Sequence, residues 1–338
     1  MKMHKREISI DLIKILASFA VICLHIIDIP NTLLDQVVYY LSGCAIPLLF
    51  MTNGYLLLNK DKITFKRQSI KSLKMLGIIF SWCAIFSCLY YLSDKIWMNP
   101  IESTAQGLVQ KGPMWQFWFI GALIILHLFL PLIHKIFKNP KWALILTIAC
   151  FVVCFGVDIA NVLFVSLDKP LIQSYVPQTF RLWNHLAYFL LGGFLGKPEL
   201  KEIINSEIKP WKHLIILIIL SVVIIIYQIY MGSHYYGTTY AEFFYDNFFV
   251  MAWNVTLFTF INRLELSNRK VIKVVEYISV NTFGVYAMHL YLLGLLKLTF
   301  DYQSKGFLLW VPVFVFIVGQ IISSLLRLNR FTKQLVTF

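Results

Sequence analysis

The sequence predicts an all-α integral membrane protein, a bundle of about ten transmembrane helices with both termini cytoplasmic. Three observations predict it. The 338 residues are 59% hydrophobic and only 14% charged, whereas soluble domains carry about 25% charged residues. Apolar runs recur from Leu12 to Leu326, with no stretch left over for a soluble domain. The basic residues alternate between successive connecting segments, as they do in membrane proteins of fixed orientation. Residues 1–338 therefore read as one transmembrane domain.

A span takes about 20 mostly apolar residues. This places helices near 10–29, 36–58, 73–93, 115–133, 142–160, 181–196, 213–231, 243–261, 277–297 and 307–326. The first follows Lys2, Lys5 and Arg6. It outruns a signal-peptide core and has no small-x-small cleavage site before Pro30, so it reads as a retained span. The sixth is the shortest, with Arg181, Asn184 and His185 at its start. With a cytoplasmic N-terminus and ten crossings, inner segments hold 23 of the 30 basic residues. The outer segments hold Lys95, Lys111, Lys169, Arg181, Lys297 and Lys305, and Lys14 lies within the first helix. A missed or invented helix would scramble that alternation. The net charge of +13 is thus a topology signal, and no nucleic-acid partner is expected. All six cysteines fall in apolar runs without a CxxC pair, so neither a disulfide framework nor a metal site is expected.

The first helix also holds the polar residues Asp11, Lys14, Ser18 and His25. At 100° per residue they share a face about 60° wide, and Lys14 and His25 stand about 16 Å apart along the axis. Charged groups within a span usually face a bundle interior or a wet cavity and mark function. Histidine suits proton transfer because its ordinary pKa lies near working pH. On the residues alone two readings stand: an interfacial i,i+3 pair with a packed histidine above it, or the wall of a reaction path with His25 and Asp11 as catalytic groups.

The run REISIDLIK (Arg6 to Lys14), followed by ten residues and His25, resembles the opening of the acyltransferase-3 family. That family usually has arginine where this chain has Lys14, which keeps the charge and loses the bidentate fork. Further segments resemble the family in the same order. They are Pro47 to Tyr55, with Asn53 where serine is usual, the basic cluster Lys66, Arg67, Lys71 and Lys74, the Trp115–Phe119 motif with Pro131, and Asn281 to His289. The resemblance implies a bacterial cytoplasmic-membrane enzyme that moves an acyl group, acetyl first among candidates, from cytoplasmic acyl-coenzyme A to a cell-envelope glycan hydroxyl. It implies His25 as general base or acyl carrier and a donor-binding role for Lys14.

Clustered cations bind phosphates through charge-assisted hydrogen bonds, so Lys66, Arg67, Lys71 and Lys74 are candidates for the coenzyme A phosphates; a topology signal or lipid anchor is the alternative. Tyr286 and His289 are i,i+3 neighbours, either catalytic or packed. Trp118, Arg181 and His185, with the i,i+4 pair Glu242 and Asp246 near the outer mouth, are candidates for the acceptor. His127 is expected to pack. The chain ends eight residues after Arg330, so the soluble hydrolase-like domain of some family members is not expected. A transporter or flippase of envelope precursors is the competing class, but the inverted repeats and paired broken helices of such proteins are not evident.

Overall fold

The computed structural model describes residues 7–27, 32–299 and 307–337, and among them it contains helices, turns and no strand. In chain order the helices are α1 (Ile8–Ile26), α2 (Leu33–Ser42), α3 (Ala45–Leu58), α4 (Phe65–Asp94), α5 (Pro100–Leu108), α6 (Trp118–Phe137) and α7 (Pro140–Ser166). They continue with α8 (Leu182–Leu195), α9 (Pro198–Glu207), α10 (Pro210–Met231), α11 (Phe248–Asn262), α12 (Arg269–Ser279), α13 (Thr282–Thr299) and α14 (Phe307–Leu326). Each of the ten expected spans meets a helix. Six stretches are long and apolar enough to cross a membrane: α1, Leu33–Leu58, α4, Trp115–Phe137, α7 and Pro210–Tyr236. The pair α12 and α13, bent by 55°, makes a seventh. The 14 residues of α8, the 15 of α11 and the apolar stretch Trp310–Leu326 are shorter. Lys2, Lys5, Arg6 and Lys305 of the charge pattern lie outside the described residues.

Local chemistry sets these boundaries. The first N–H groups of a helix lack intrahelical partners, and a preceding Asn or Thr side chain can accept from them. Asn99, Asn139, Asn247 and Asn268 do so for α5, α7, α11 and α12, and Thr32 forms a capping box with Asp35 at α2. Proline opens α5, α7, α9 and α10, where its missing N–H does no harm. The expected second span breaks at Gly43–Cys44, which leaves Pro47 in the first turn of α3 rather than mid-helix. The eighth expected helix, 243–261, instead begins at Phe248 on its Asn247 cap. Glu242 therefore sits in a 3-10 turn, Ala241–Phe244, with Asp246 in the link beyond it, and the two are not an i,i+4 helical pair.

At the α12–α13 bend, Asn281 is fully buried and its side chain replaces the interrupted ladder. Its amide donates to the Tyr277 carbonyl and to Ser324 Oγ (3.1 and 2.9 Å), and its oxygen accepts from Ser323 (3.2 Å).

The closest helix pair is α3 on α8. A Cβ at Gly54 would fall 1.7 Å from the Phe189 carbonyl oxygen, and one at Gly192 would fall 1.9 Å from that of Met51. Small residues let membrane helices approach backbone to backbone. Helix α1 runs through the middle, packed on α2, α3 and α11 to α14. By contrast α7 and α10 leave rows of Val and Ile exposed, among them Val152, Ile159, Ile218, Ile219, Val222 and Ile226. Apolar surface of that extent is stable against lipid and not against water.

Candidate active site

The polar stripe of α1 divides into two parts. Towards its start, Ser9 donates to Asn262 (3.0 Å), Ser279 donates to Asp11 (2.6 Å), and Ser18 donates to the Thr282 carbonyl (3.4 Å). Lys14 lies 3.8 Å from the Asp11 carboxylate. These bonds tie α1 to α11, α12 and α13, and Asp11 is buried. Asp11 and His25 are about 21 Å apart along the axis. Asp11 and His25, both expected as catalytic groups, thus stand at different depths of the helix, and Asp11 pairs with Lys14 in i,i+3 geometry.

At the other end of α1 three expected residues do meet. The half-buried His25 ring stacks on that of His289, with centroids 5.2 Å apart and planes 28° apart. It meets Trp115 edge-on at 5.0 Å. His289 is fully buried, and its Nδ1 lies 2.5 Å from the Tyr286 carbonyl oxygen. A carbonyl only accepts, so Nδ1 carries the proton and Nε2 holds the lone pair. That Nε2 has no partner among the described residues. The Tyr286 hydroxyl donates to the Gln116 carbonyl, which fastens α13 to the 3-10 turn Trp115–Phe117.

Two cavities open on this cluster. The larger, about 520 Å³, is lined by His25, Trp115, Gln116, Trp118, Tyr286 and Glu242, with Tyr39, Tyr240 and Tyr245. The smaller, about 270 Å³, is lined by His25, Trp115, Gln116, Phe86, Leu290, Tyr291, Leu293, Gly294 and Lys297. His25, Trp115 and Gln116 belong to both and form the partition. Trp115 and Gln116 stand in the motif that carries part of the family resemblance, which was the signal available for finding them. Tyr39 and Tyr245 carry no local signal.

Of the expected acceptor residues, Trp118 and Glu242 line the larger cavity, whereas Arg181, His185 and Asp246 stand behind its wall. Arg181 reaches Glu242 at 3.4 Å and donates to the Gln173 and Val176 carbonyls (2.8 and 2.9 Å). Burial holds the Glu242 carboxyl above its ordinary pKa, and the Arg181 guanidinium opposes that rise. His185 is sandwiched by Phe50 and Trp118, at 4.4 and 5.7 Å, with Nε2 on the Gln178 carbonyl at 2.7 Å. Asp246 is fully buried and accepts from Gln173 (2.9 Å) and the Trp183 indole (3.0 Å). These three orient the wall and do not face its contents.

The basic cluster lies elsewhere. Lys66, Arg67 and Lys74 are exposed and Lys71 half-buried near the start of α4, while Phe86 of the smaller cavity lies towards its end. Lys71 and Phe86 are about 22 Å apart along that helix. None of the four is ion-paired among the described residues. Lys60 joins them, its pKa lowered by burial and then by Arg67. Beneath them His127 pairs with Gln68 at 2.8 Å, a packing role as expected.

The half-buried His25, backed by the buried His289, thus stands between two cavities inside a bundle of apolar helices. The family model of the acyltransferase-3 domain matches residues 7–326, so the chain belongs to that acyltransferase family and is a membrane acyltransferase. No curated protein and no solved structure matches the chain.

Proposed function

We propose that the protein is an O-acyltransferase that moves an acyl group from acyl-coenzyme A to a hydroxyl of a cell-envelope glycan or its lipid-linked precursor. The observation that carries this reading is the position of His25 in the partition between two cavities, one of them walled by aromatic rings and the Glu242 carboxylate. Aromatic faces and a carboxylate suit a sugar ring with its hydroxyls. His25 acts as general base: the acceptor oxygen bonds to the thioester carbon as its proton passes to the imidazole. The carbon–sulfur bond then breaks, and the thiolate leaves with that proton as the coenzyme A thiol.

The donor enters from the cytoplasmic face. Its phosphates rest on Lys66, Arg67, Lys71 and Lys74, with Lys14 near the entrance, and its extended pantetheine arm runs inward toward His25. Ten crossings with both termini cytoplasmic, in the bacterial inner membrane, complete the proposal. Acetyl is the group to assay first. Wild type and His25→Ala are expressed in a host that makes a defined surface polysaccharide, and its O-acetyl content is read by NMR. Loss of a general base lowers the rate by about 10²–10⁴-fold, so acylation is expected with wild type and essentially none with an equally abundant mutant. Equal acylation by both removes His25 from the mechanism.

A further inference from the structure

We propose that the smaller cavity is the acyl chamber, that it takes acyl groups longer than acetyl, and that Gly294 sets its depth. This rests on the acyltransferase reading above and specifies its donor. The transferred carbon must lie within bonding reach of the acceptor oxygen that His25 deprotonates. The smaller cavity meets the larger at the shared His25, Trp115 and Gln116 boundary, so an acyl group held there has its carbonyl end at that boundary.

The lining fits a short carbon chain. Phe86, Tyr291, Leu290 and Leu293 supply apolar walls, and Lys297 is the cation among them. Leu290, Leu293, Gly294 and Lys297 follow one another at i, i+3, i+4 and i+7, so one face of α13 forms a continuous wall. The volume of about 270 Å³ is far above the roughly 30 Å³ share of one water in the liquid. The methyl of an acetyl group leaves most of it empty.

Gly294 differs from the glycines of the core. Gly54 and Gly192 press on neighbouring backbone, whereas a Cβ at Gly294 meets no heavy atom within 4 Å. Packing does not demand glycine there, and Gly294, an exposed residue on the cavity wall, leaves room for a larger side chain. At the partition, Gln116 is buried and its Oε1 has no hydrogen-bond partner among the described residues. That leaves an acceptor-type group at the boundary where the reacting ends of donor and acceptor meet.

The test is binding of coenzyme A and its acetyl, butanoyl, hexanoyl and octanoyl thioesters to the full-length protein in nanodiscs, by calorimetry. For wild type, affinity is expected to rise by about fourfold for each methylene the chamber takes beyond acetyl. Gly294→Leu is expected to abolish that rise while unacylated coenzyme A binds as before. Leu290→Ala, which enlarges the chamber, is expected to extend the rise to longer chains, and it decides the matter alone if the leucine variant does not fold. A chain-length profile that is flat in wild type, or unchanged in a folded variant, overturns the chamber assignment with coenzyme A binding intact. Failure of wild type to bind any of these compounds overturns the acyl-coenzyme A reading itself.

Discussion

At the scale of single residues, His25 and His289 form the unit on which the chemistry turns. His289 lines neither cavity, but its ring covers one face of His25, which lines both, at 5.2 Å. Its Nδ1 is fixed on the Tyr286 carbonyl, so the ring cannot swing without losing that bond. His289 is thus a positioning residue that holds the His25 imidazole towards the partition. A reacting group misplaced by an ångström can cost about 10²-fold in rate. His289→Ala is therefore expected to lower kcat by about 10²-fold and leave KM unchanged, and His289→Phe, which keeps a stacking ring, to recover most of the loss. Steady-state kinetics with acyl donor and glycan acceptor check this. Equal loss in both variants would assign the role to the unpartnered Nε2 rather than to the stack.

At the scale of elements, the α3–α8 contact is the tightest constraint in the bundle. Overpacking a core with extra methylenes typically costs 1–3 kcal/mol, and at Gly192 the obstacle is the Met51 backbone rather than a movable side chain. Gly192→Val is expected to lose at least about 3 kcal/mol, seen as loss of monodisperse protein after extraction and a lowered Tm. Gly77→Ala on α4, where a Cβ meets nothing within 4 Å, is expected to gain about 0.5–1 kcal/mol. An equal response at both glycines would remove the close contact from the account.

The helices themselves were legible in the sequence because apolar length and Asn or Pro starts are local properties. The break at Gly43–Cys44, the bend at Asn281 and the delayed start of α11 were not. The bend is set by the contacts of Asn281 with Ser323 and Ser324 of α14, and the α11 start follows its Asn247 cap, which the apolar run alone overshot. The site divides in the same way. His25 of the first helix meets the i,i+3 pair Tyr286 and His289 from far along the chain, three residues that stand in motifs of the resemblance. Asp11 shares the helical face of His25 but not its depth, a separation the axial rise already gives, whereas its bond from Ser279 of α12 could not be read from the first helix alone. His185 and Asp246 are polar residues near the mouth, yet their partners, Phe50 and Trp118 for one and Gln173 and Trp183 for the other, turn them away from it.

At the scale of the whole molecule, the two ends of the bundle differ in charge and in use. Glu7 at the start of α1 is bonded by Tyr55 at the end of α3 (2.6 Å) and approached by Lys201 of α9 (3.8 Å). Asn59 at the same end donates to the Gly193 carbonyl of α8 at 2.9 Å. The other end holds His25, Arg181 and Glu242. Helix α8 thus runs between the same two ends as α1, although its 14 residues reach only about 21 Å against a hydrocarbon core of about 30 Å. It is almost wholly buried among its neighbours, and backbone enclosed by protein is free of the length that lipid imposes. A short α8 is therefore compatible with a true crossing, which the charge pattern of the sequence predicts. Cysteine accessibility tests this directly. In a Cys88→Ser background, since Cys88 is the exposed native thiol while the other five are buried, single cysteines replace the exposed Lys62, Lys169 and Lys212. A membrane-impermeant maleimide applied to intact cells is expected to label Lys169→Cys alone, and to label Lys62→Cys and Lys212→Cys only after permeabilisation. Reversal of all three would invert the orientation and put the basic cluster outside, away from cytoplasmic acyl-coenzyme A. Labelling of Lys169 and Lys212 from the same side would mean that α8 does not cross, and would place the two termini on opposite faces if the remaining nine helices cross.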